Sequence, residues 1–248
     1  MTDELARAIK ALYTVFNPPL PPGEISQAMC QGYPQGRAQD AELRSAPRSP
    51  LRASCLRRFA GSALTTMGEL PTFKHFLPRM LEIVAVRDGD LHASLGQIAL
   101  KLDYGEWLTW PHREQAAIRR FLDAWFDAEL ADDPMRDYDP LDPVSTLAIA
   151  EPSIAPYLQQ WDEHPAANAT LRIAHVLLEQ AEALQTDRPF DEDFIDPIGE
   201  PQVEFKRWIM SSATAERLAR AFHATDEVEM QTLLSRAEQA HRILFGPA

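Results

Sequence analysis

Thr72-Phe73-Lys74-His75-Phe76-Leu77-Pro78-Arg79-Met80-Leu81-Glu82-Ile83 is the stretch whose reading decides the fold. At about 100° per residue, Phe73, Phe76, Leu77, Met80, Leu81 and Val84 gather on one side of a helix. His75, Arg79 and Glu82 fall within about 60° of one another on the other side. An apolar stripe backed by a polar one is the mark of a helix half-sunk in a core. Pro78 leaves two options open, because proline cannot donate its backbone hydrogen bond and crowds the preceding turn. Either the helix runs through it with a kink, or it starts near Leu77 and leaves His75 outside.

Similar periodicity recurs outward in both directions. Leu5, Ile9, Leu12, Tyr13 and Phe16 fit an amphipathic helix capped by Thr2 or Asp3. Asn17-Pro18-Pro19-Leu20-Pro21-Pro22-Gly23 ends it as a stiff loop. Residues 23–37 lack periodicity, and residues 40–45 suit a short helical turn. Pro50 fits the first turn of a helix reaching Leu64, with Leu51, Cys55, Leu56, Phe59 and Leu64 facing inward. Asp88-Gly89-Asp90 is a turn, and Leu91, Leu95, Ile98 and Leu102 suggest another helix. Pro111 suits the first turn of a long helix whose Ile118, Phe121, Leu122, Trp125 and Phe126 form one wide apolar stripe.

Residues 131–143 hold five Asp and three Pro, an acidic connector between possible subdivisions 1–130 and 144–248 of a single helical domain, 1–248. Beyond it, helices are expected at Val144–Ala150, Ile154–Trp161 and Pro165–Leu184, the last with Leu171, Ala174, Leu177, Leu178, Ala181 and Leu184 inward and Ile173 and Val176 on other faces. An acidic loop over 186–201 precedes helices at Val203–Met210, Ala213–His223 and Val228–Leu244. Asp226 with Glu229 resembles a capping box at the start of the last one. No stretch alternates like a strand. The expected fold is all-α, an irregular array of about ten antiparallel helices, with an α-superhelical course among the arrangements it allows.

Composition narrows the function classes. Of 248 residues, 45% are hydrophobic and 25% charged, enough to bury a core without disulfides or metal. The net charge of −13 argues against nucleic acid or an anionic membrane as partner, since both need a basic footprint. Arg44, Arg48, Arg52, Arg57 and Arg58 form a local basic run, read as a solvated face with an anion patch as its sharper alternative. The two cysteines, Cys30 and Cys55, make no disulfide framework, and Cys55 reads as a buried hydrophobe. No apolar run approaches ~18 residues and the N-terminus lacks a signal-peptide pattern, so a cytoplasmic location is expected.

The nucleotide-binding, zinc-protease and nucleophile-elbow motifs are absent, and no two of the seven histidines lie three or four residues apart. No cofactor and no metal site is expected. The candidate catalytic cluster is His75, Arg79 and Glu82, with Trp110, His112 and Glu114 as candidate binding residues. An Arg–Glu–His set can do acid–base work or hold a carboxylate or phosphate.

Thr66-Met67-Gly68, then Phe73-Lys74-His75-Phe76-Leu77-Pro78-Arg79-Met80-Leu81-Glu82, then Trp110-Pro111 with Glu114 and Phe121-Leu122-x-Ala124-Trp125, resembles an uncharacterised family of bacterial cytoplasmic proteins. Members of that family carry Thr-Trp-Gly before Phe-Leu-Pro-Arg, and a cysteine pair upstream. Met67 stands here in place of the Trp, and Cys30 has no close partner in sequence. The resemblance spans residues 25 to 130 and implies no activity. Two functional expectations follow. One is a non-enzymatic protein-interaction module. The other is a small-molecule enzyme or anion-binding protein using the His/Arg/Glu cluster.

Overall fold

A computed structural model describes residues 1–22, 25, 40–44, 51–134, 140–185 and 199–246. It is all-α: the described residues contain no strand, only an isolated bridge between Ala63 and Met67. None of the described helices is long and apolar enough to cross a membrane. Contacts divide the chain into two compact units, 1–125 and 126–248. The division falls inside a helix rather than at the acidic stretch 131–143, of which residues 135–139 lie outside the described set.

The first unit begins with α1 (Asp3–Val15). The Thr2 hydroxyl accepts the Leu5 amide at 3.2 Å, as an N-cap should, and Leu5, Ala8, Ile9 and Leu12 are buried. The proline loop lies on its own unit. The Pro18 carbonyl accepts from His75 at 2.9 Å and that of Pro21 from Arg44 at 2.9 Å. Residues 40–44 are helical. Helix α2 (Ala53–Ser62) buries Ala53, Cys55, Leu56, Phe59 and Ala60.

The expected extension of α2 to Leu64 fails. The Ser62 carbonyl collects the amides of Thr65, Thr66 and Met67, and Leu64 turns left-handed at φ 66° and is only half-buried. Gly68 follows at φ 63°, where an added Cβ would come within 3.0 Å of Thr72. Pro50, Arg48 and Cys30 lie outside the described residues.

Helix α3 (Leu70–Ala85) opens with Pro71 in its first turn and continues through Pro78, so His75, Arg79 and Glu82 share one helix. Phe73, Phe76, Leu77, Met80 and Leu81 are each at most 1% exposed. Ile83 joins them at 1%, whereas Val84 is only half-buried. Phe76 meets Phe59 edge-on at 5.1 Å, and Phe73 meets Trp110 at 6.3 Å. Helix α4 (Leu95–Tyr104) starts at a full capping box between Ser94 and Gln97.

Helix α5 (His112–Ala131) buries Ile118, Phe121, Leu122, Trp125 and Phe126, the whole stripe read from sequence. Pro111 stands just before it, and its carbonyl accepts the amides of Glu114 and Gln115.

The second unit contains α6 (Asp142–Ala150), α7 (Ala155–Glu163), α8 (Ala167–Glu179), the short α9 (Ala181–Gln185), α10 (Glu200–Ile209), α11 (Ser212–Ala224) and α12 (Val228–Phe245). Helices α8, α11 and α12 pack on one another. An aromatic group of Phe126, Tyr157 and Trp161 adjoins Phe205 and Trp208, with Trp161 and Trp208 tilted at 4.8 Å.

Glu204 on α10 caps α7 from a distance. Its carboxylate accepts from the Ser153 hydroxyl at 2.6 Å, the Ile154 amide at 2.6 Å and the Ala155 amide at 3.1 Å.

Two expectations for this unit need correction. The helix drawn over Pro165–Leu184 is two helices broken at Gln180, and its inward face is rotated. Ile173 and Val176 are fully buried while Leu171 and Leu178 are half-buried, because α8 is apolar on most sides and its neighbours, not its periodicity, select the covered face. Arg172 is also fully buried on that helix and donates to the Glu129 carbonyl at 3.0 Å. The Asp226–Glu229 capping box does not form. Glu227 occupies the cap without a side-chain bond, and Thr225 serves the turn instead, accepting the Glu227 amide at 3.2 Å and a Gln231 side-chain N–H at 2.7 Å. The acidic loop at 186–198 lies outside the described residues.

Candidate functional site

The sequence candidates separate into two side-chain groups and two residues apart from them. In the first group Arg79 donates from Nη1 to Glu82 Oε2 at 2.7 Å and from Nε to the Leu51 carbonyl at 2.7 Å. Tyr13 of α1 donates its hydroxyl to the same Glu82 oxygen at 2.5 Å. Burial and the Glu82 carboxylate push the Tyr13 phenol well above its ordinary value, so it holds its proton. His75 turns away from this group, its Nδ1 donating to Pro18 and its ring standing edge-on to Phe76 at 4.9 Å. The helix face that sequence predicts is therefore present, but His75 is bonded to a different partner from Arg79 and Glu82.

The second group joins Lys74 and Glu114 at 2.6 Å, with side chains only 16% and 12% exposed. The Lys74 ammonium also lies 4.0 Å from the centre of the Trp110 ring. Trp110 is buried and donates its indole N–H to the Gly105 carbonyl at 2.8 Å. His112 is exposed at the start of α5. Trp110, Lys74 and Glu114 thus fasten α5 to α3. Each polar group in both clusters already meets a complementary one from another segment, the pattern of a structural tie.

Three arginines of the basic run are bonded within the first unit in the same way. Arg44 donates to Pro21, Arg52 pairs with Glu42 at 3.3 Å, and Arg57 donates to the Asp90 carbonyl at 2.9 Å. Cys55 is buried, with its thiol 2.9 Å from Glu42. Among the described residues, no group of three or more His, Cys, Asp or Glu could hold a metal ion.

A cavity of about 520 Å³ in the second unit was not foreseen. Helices α8, α11 and α12 form its walls, together with Asp162 and the turn His164-Pro165-Ala166. The volume lies within the range of small-molecule sites, ~300–1,000 Å³. Thr170, Arg217 and Arg220 supply polarity, and Leu171, Met230 and Leu234 supply apolar surface.

Arg217 is held firmly. It donates from Nε to the Thr170 hydroxyl at 2.9 Å, from Nη1 to the Trp161 carbonyl and from Nη2 to the His164 carbonyl at 3.2 Å. Its guanidinium closes the carboxyl end of α7, and burial holds its pKa below the ordinary arginine value. Asp162 stands 4.0 Å from Arg217 Nη1 and accepts the Trp208 indole N–H at 2.9 Å. Arg220, one turn on, has a side chain 71% exposed and pairs with Glu216 at 3.7 Å. His164 accepts the Ala166 amide on Nδ1 at 3.3 Å, which places its proton on Nε2, 3.5 Å from Asp127. Ala166 is the N-cap of α8 and offers no side-chain oxygen to the first-turn amides.

The sequence held one muted sign of this cavity. Arg217 and Arg220 are three apart on a helix whose neighbouring positions, Ala221 and Ala224, are small and leave a hollow. Comparison of the chain with protein-family models, with curated proteins and with solved structures finds no match.

Proposed function

We propose that the second unit binds a small negatively charged molecule in the cavity between α8, α11 and α12. Two guanidinium groups at the wall of a small-molecule-sized cavity, in a chain of net charge −13, carry this reading. It moves the anion-binding expectation from His75, Arg79 and Glu82, whose groups are committed to ties within the first unit, to Arg217 and Arg220. Binding is proposed without a chemical step. Among the described residues around the cavity no nucleophile is set beside a base: the His164 Nδ1 accepts a backbone amide, and Thr170 accepts from Arg217.

Anilinonaphthalene sulfonate, an anion with an apolar body, tests the reading. Its fluorescence should rise on titration into the native chain, and Arg220→Glu should abolish the rise. Equal fluorescence with the charge-reversed variant would refute it.

The protein-interaction reading has its own support at α10, where Val203 on the helix and Met210 at its C-cap are 43% and 40% exposed and lie about two turns apart. A photo-crosslinker at Val203 should give one discrete adduct in cells of origin, and Met210→Lys should remove it. A smear of products insensitive to that substitution would count against a specific partner.

A further inference from the structure

The ligand class of this cavity follows from its charge and its walls. We infer that, if the second unit binds an anion as proposed, the occupant is a monocarboxylate with an aliphatic body, its headgroup at Arg220 and its chain along Leu171, Met230 and Leu234. Among the described residues Arg217 faces the Asp162 carboxylate at 4.0 Å and Arg220 faces Glu216 at 3.7 Å, so both guanidiniums are already partly balanced. A carboxylate adds only one negative charge to such a wall, whereas a phosphate monoester brings about −1.5 to −2.

The two arginines divide the work. Arg217 already gives three of its N–H directions to Trp161, His164 and Thr170, so it contributes field and position more than new bonds. Arg220 is exposed and loosely paired at 3.7 Å, and its planar fork matches a carboxylate in bidentate fashion. The first turn of α8, behind an alanine cap, also lines the cavity, and its dipole favours a negative charge there. Across from these groups the wall is aliphatic, and Met230 can adapt its unbranched side chain to a chain-like ligand. A headgroup at the exposed arginine with a tail directed toward buried Leu234 keeps the charge near water and the methylenes out of it.

Calorimetry on the full chain with octanoate, acetate, 1-octanol and inorganic phosphate separates the parts. Octanoate should bind at least about tenfold more tightly than acetate or 1-octanol, one charge-assisted contact or a few buried methylenes each being worth that factor. Arg220→Ala should weaken octanoate by about tenfold, with Arg220→Lys intermediate. Ala221→Leu, which fills the hollow, should weaken octanoate and leave acetate unchanged. Arg220 and Ala221 variants with native circular dichroism keep the test independent of folding. Tighter binding of phosphate than of octanoate would overturn the carboxylate assignment and leave the anion-binding reading standing. Equal binding of octanol and octanoate would overturn the headgroup assignment. No heat with any anion would overturn both this inference and the function on which it rests.

Discussion

The hydroxyl of Tyr13 is the sharpest test of whether the Arg79–Glu82 group is a structural tie. Tyr13→Phe removes one atom and leaves the ring in place. The lost bond is a 2.5 Å contact to a carboxylate whose side chain is 27% exposed. A hydrogen bond to a charged group is worth about 1.5–3 kcal/mol, and partial exposure places this one near the lower end. Glu82→Gln removes the charge shared by Tyr13 and Arg79, and the double variant completes a cycle. The coupling between positions 13 and 82 should be about 1–2 kcal/mol, read from urea unfolding followed by tryptophan fluorescence.

The same pair predicts an alkaline signature. The folded-state pKa of Tyr13 is raised, so its contribution is complete below the unfolded value near 10 and is lost as pH rises through the folded value. Tyr13→Phe should therefore flatten the fall in stability above pH 10. A coupling below about 0.3 kcal/mol, within the error of independent sites, would refute the tie between α1 and α3.

Glu204→Ala should cost about 2–3 kcal/mol, since the first turn of α7 loses a charged cap with three acceptor contacts, and the melting temperature should fall by several degrees. Phe121→Ala should cost about 3–5 kcal/mol as a large-to-small change at a fully buried site, read from the urea midpoint. His241 is buried and donates to the Ile209 carbonyl at 3.0 Å. Burial lowers its pKa, so the unfolded chain takes up the proton first as pH drops. Stability should be full above pH ~6.5 and decline as pH falls through the lowered folded value, a slope that His241→Gln should reduce.

Helix existence was legible because a half-buried helix must repeat its apolar residues every three or four positions, and α1, α3 and α5 do so without ambiguity. Phe73, Phe76, Leu77, Met80 and Leu81 were readable for that reason. Ends and faces were less so. Leu64 continues the periodicity of α2, yet the Ser62 carbonyl captures three following amides and turns the chain away. On α8, apolar residues occupy most of the circumference, so periodicity could not rank Ile173 and Val176 above Leu171 and Leu178.

Partners distant in sequence were invisible. Nothing near Glu82 points to Tyr13, 69 residues away, and nothing near Ser153 points to Glu204. The cavity was hidden for a related reason. A hollow is made by the small residues that fail to fill it, and Ala221 and Ala224 read along the chain as ordinary helix formers.

The tilted Trp161–Trp208 pair gives the cavity an optical consequence. Two indoles 4.8 Å apart interact strongly enough to shape the near-ultraviolet circular dichroism of the protein. Trp161 is joined to the cavity wall through its carbonyl and Arg217, and Trp208 through its indole N–H and Asp162. A molecule that displaces Asp162 removes the acceptor of the Trp208 indole N–H, while the Trp161 ring stays anchored by its own indole N–H to the Ala169 carbonyl at 2.8 Å. If the cavity binds an anion as proposed, a shift of the Trp208 ring against Trp161 would give that binding a dichroic readout that needs no label.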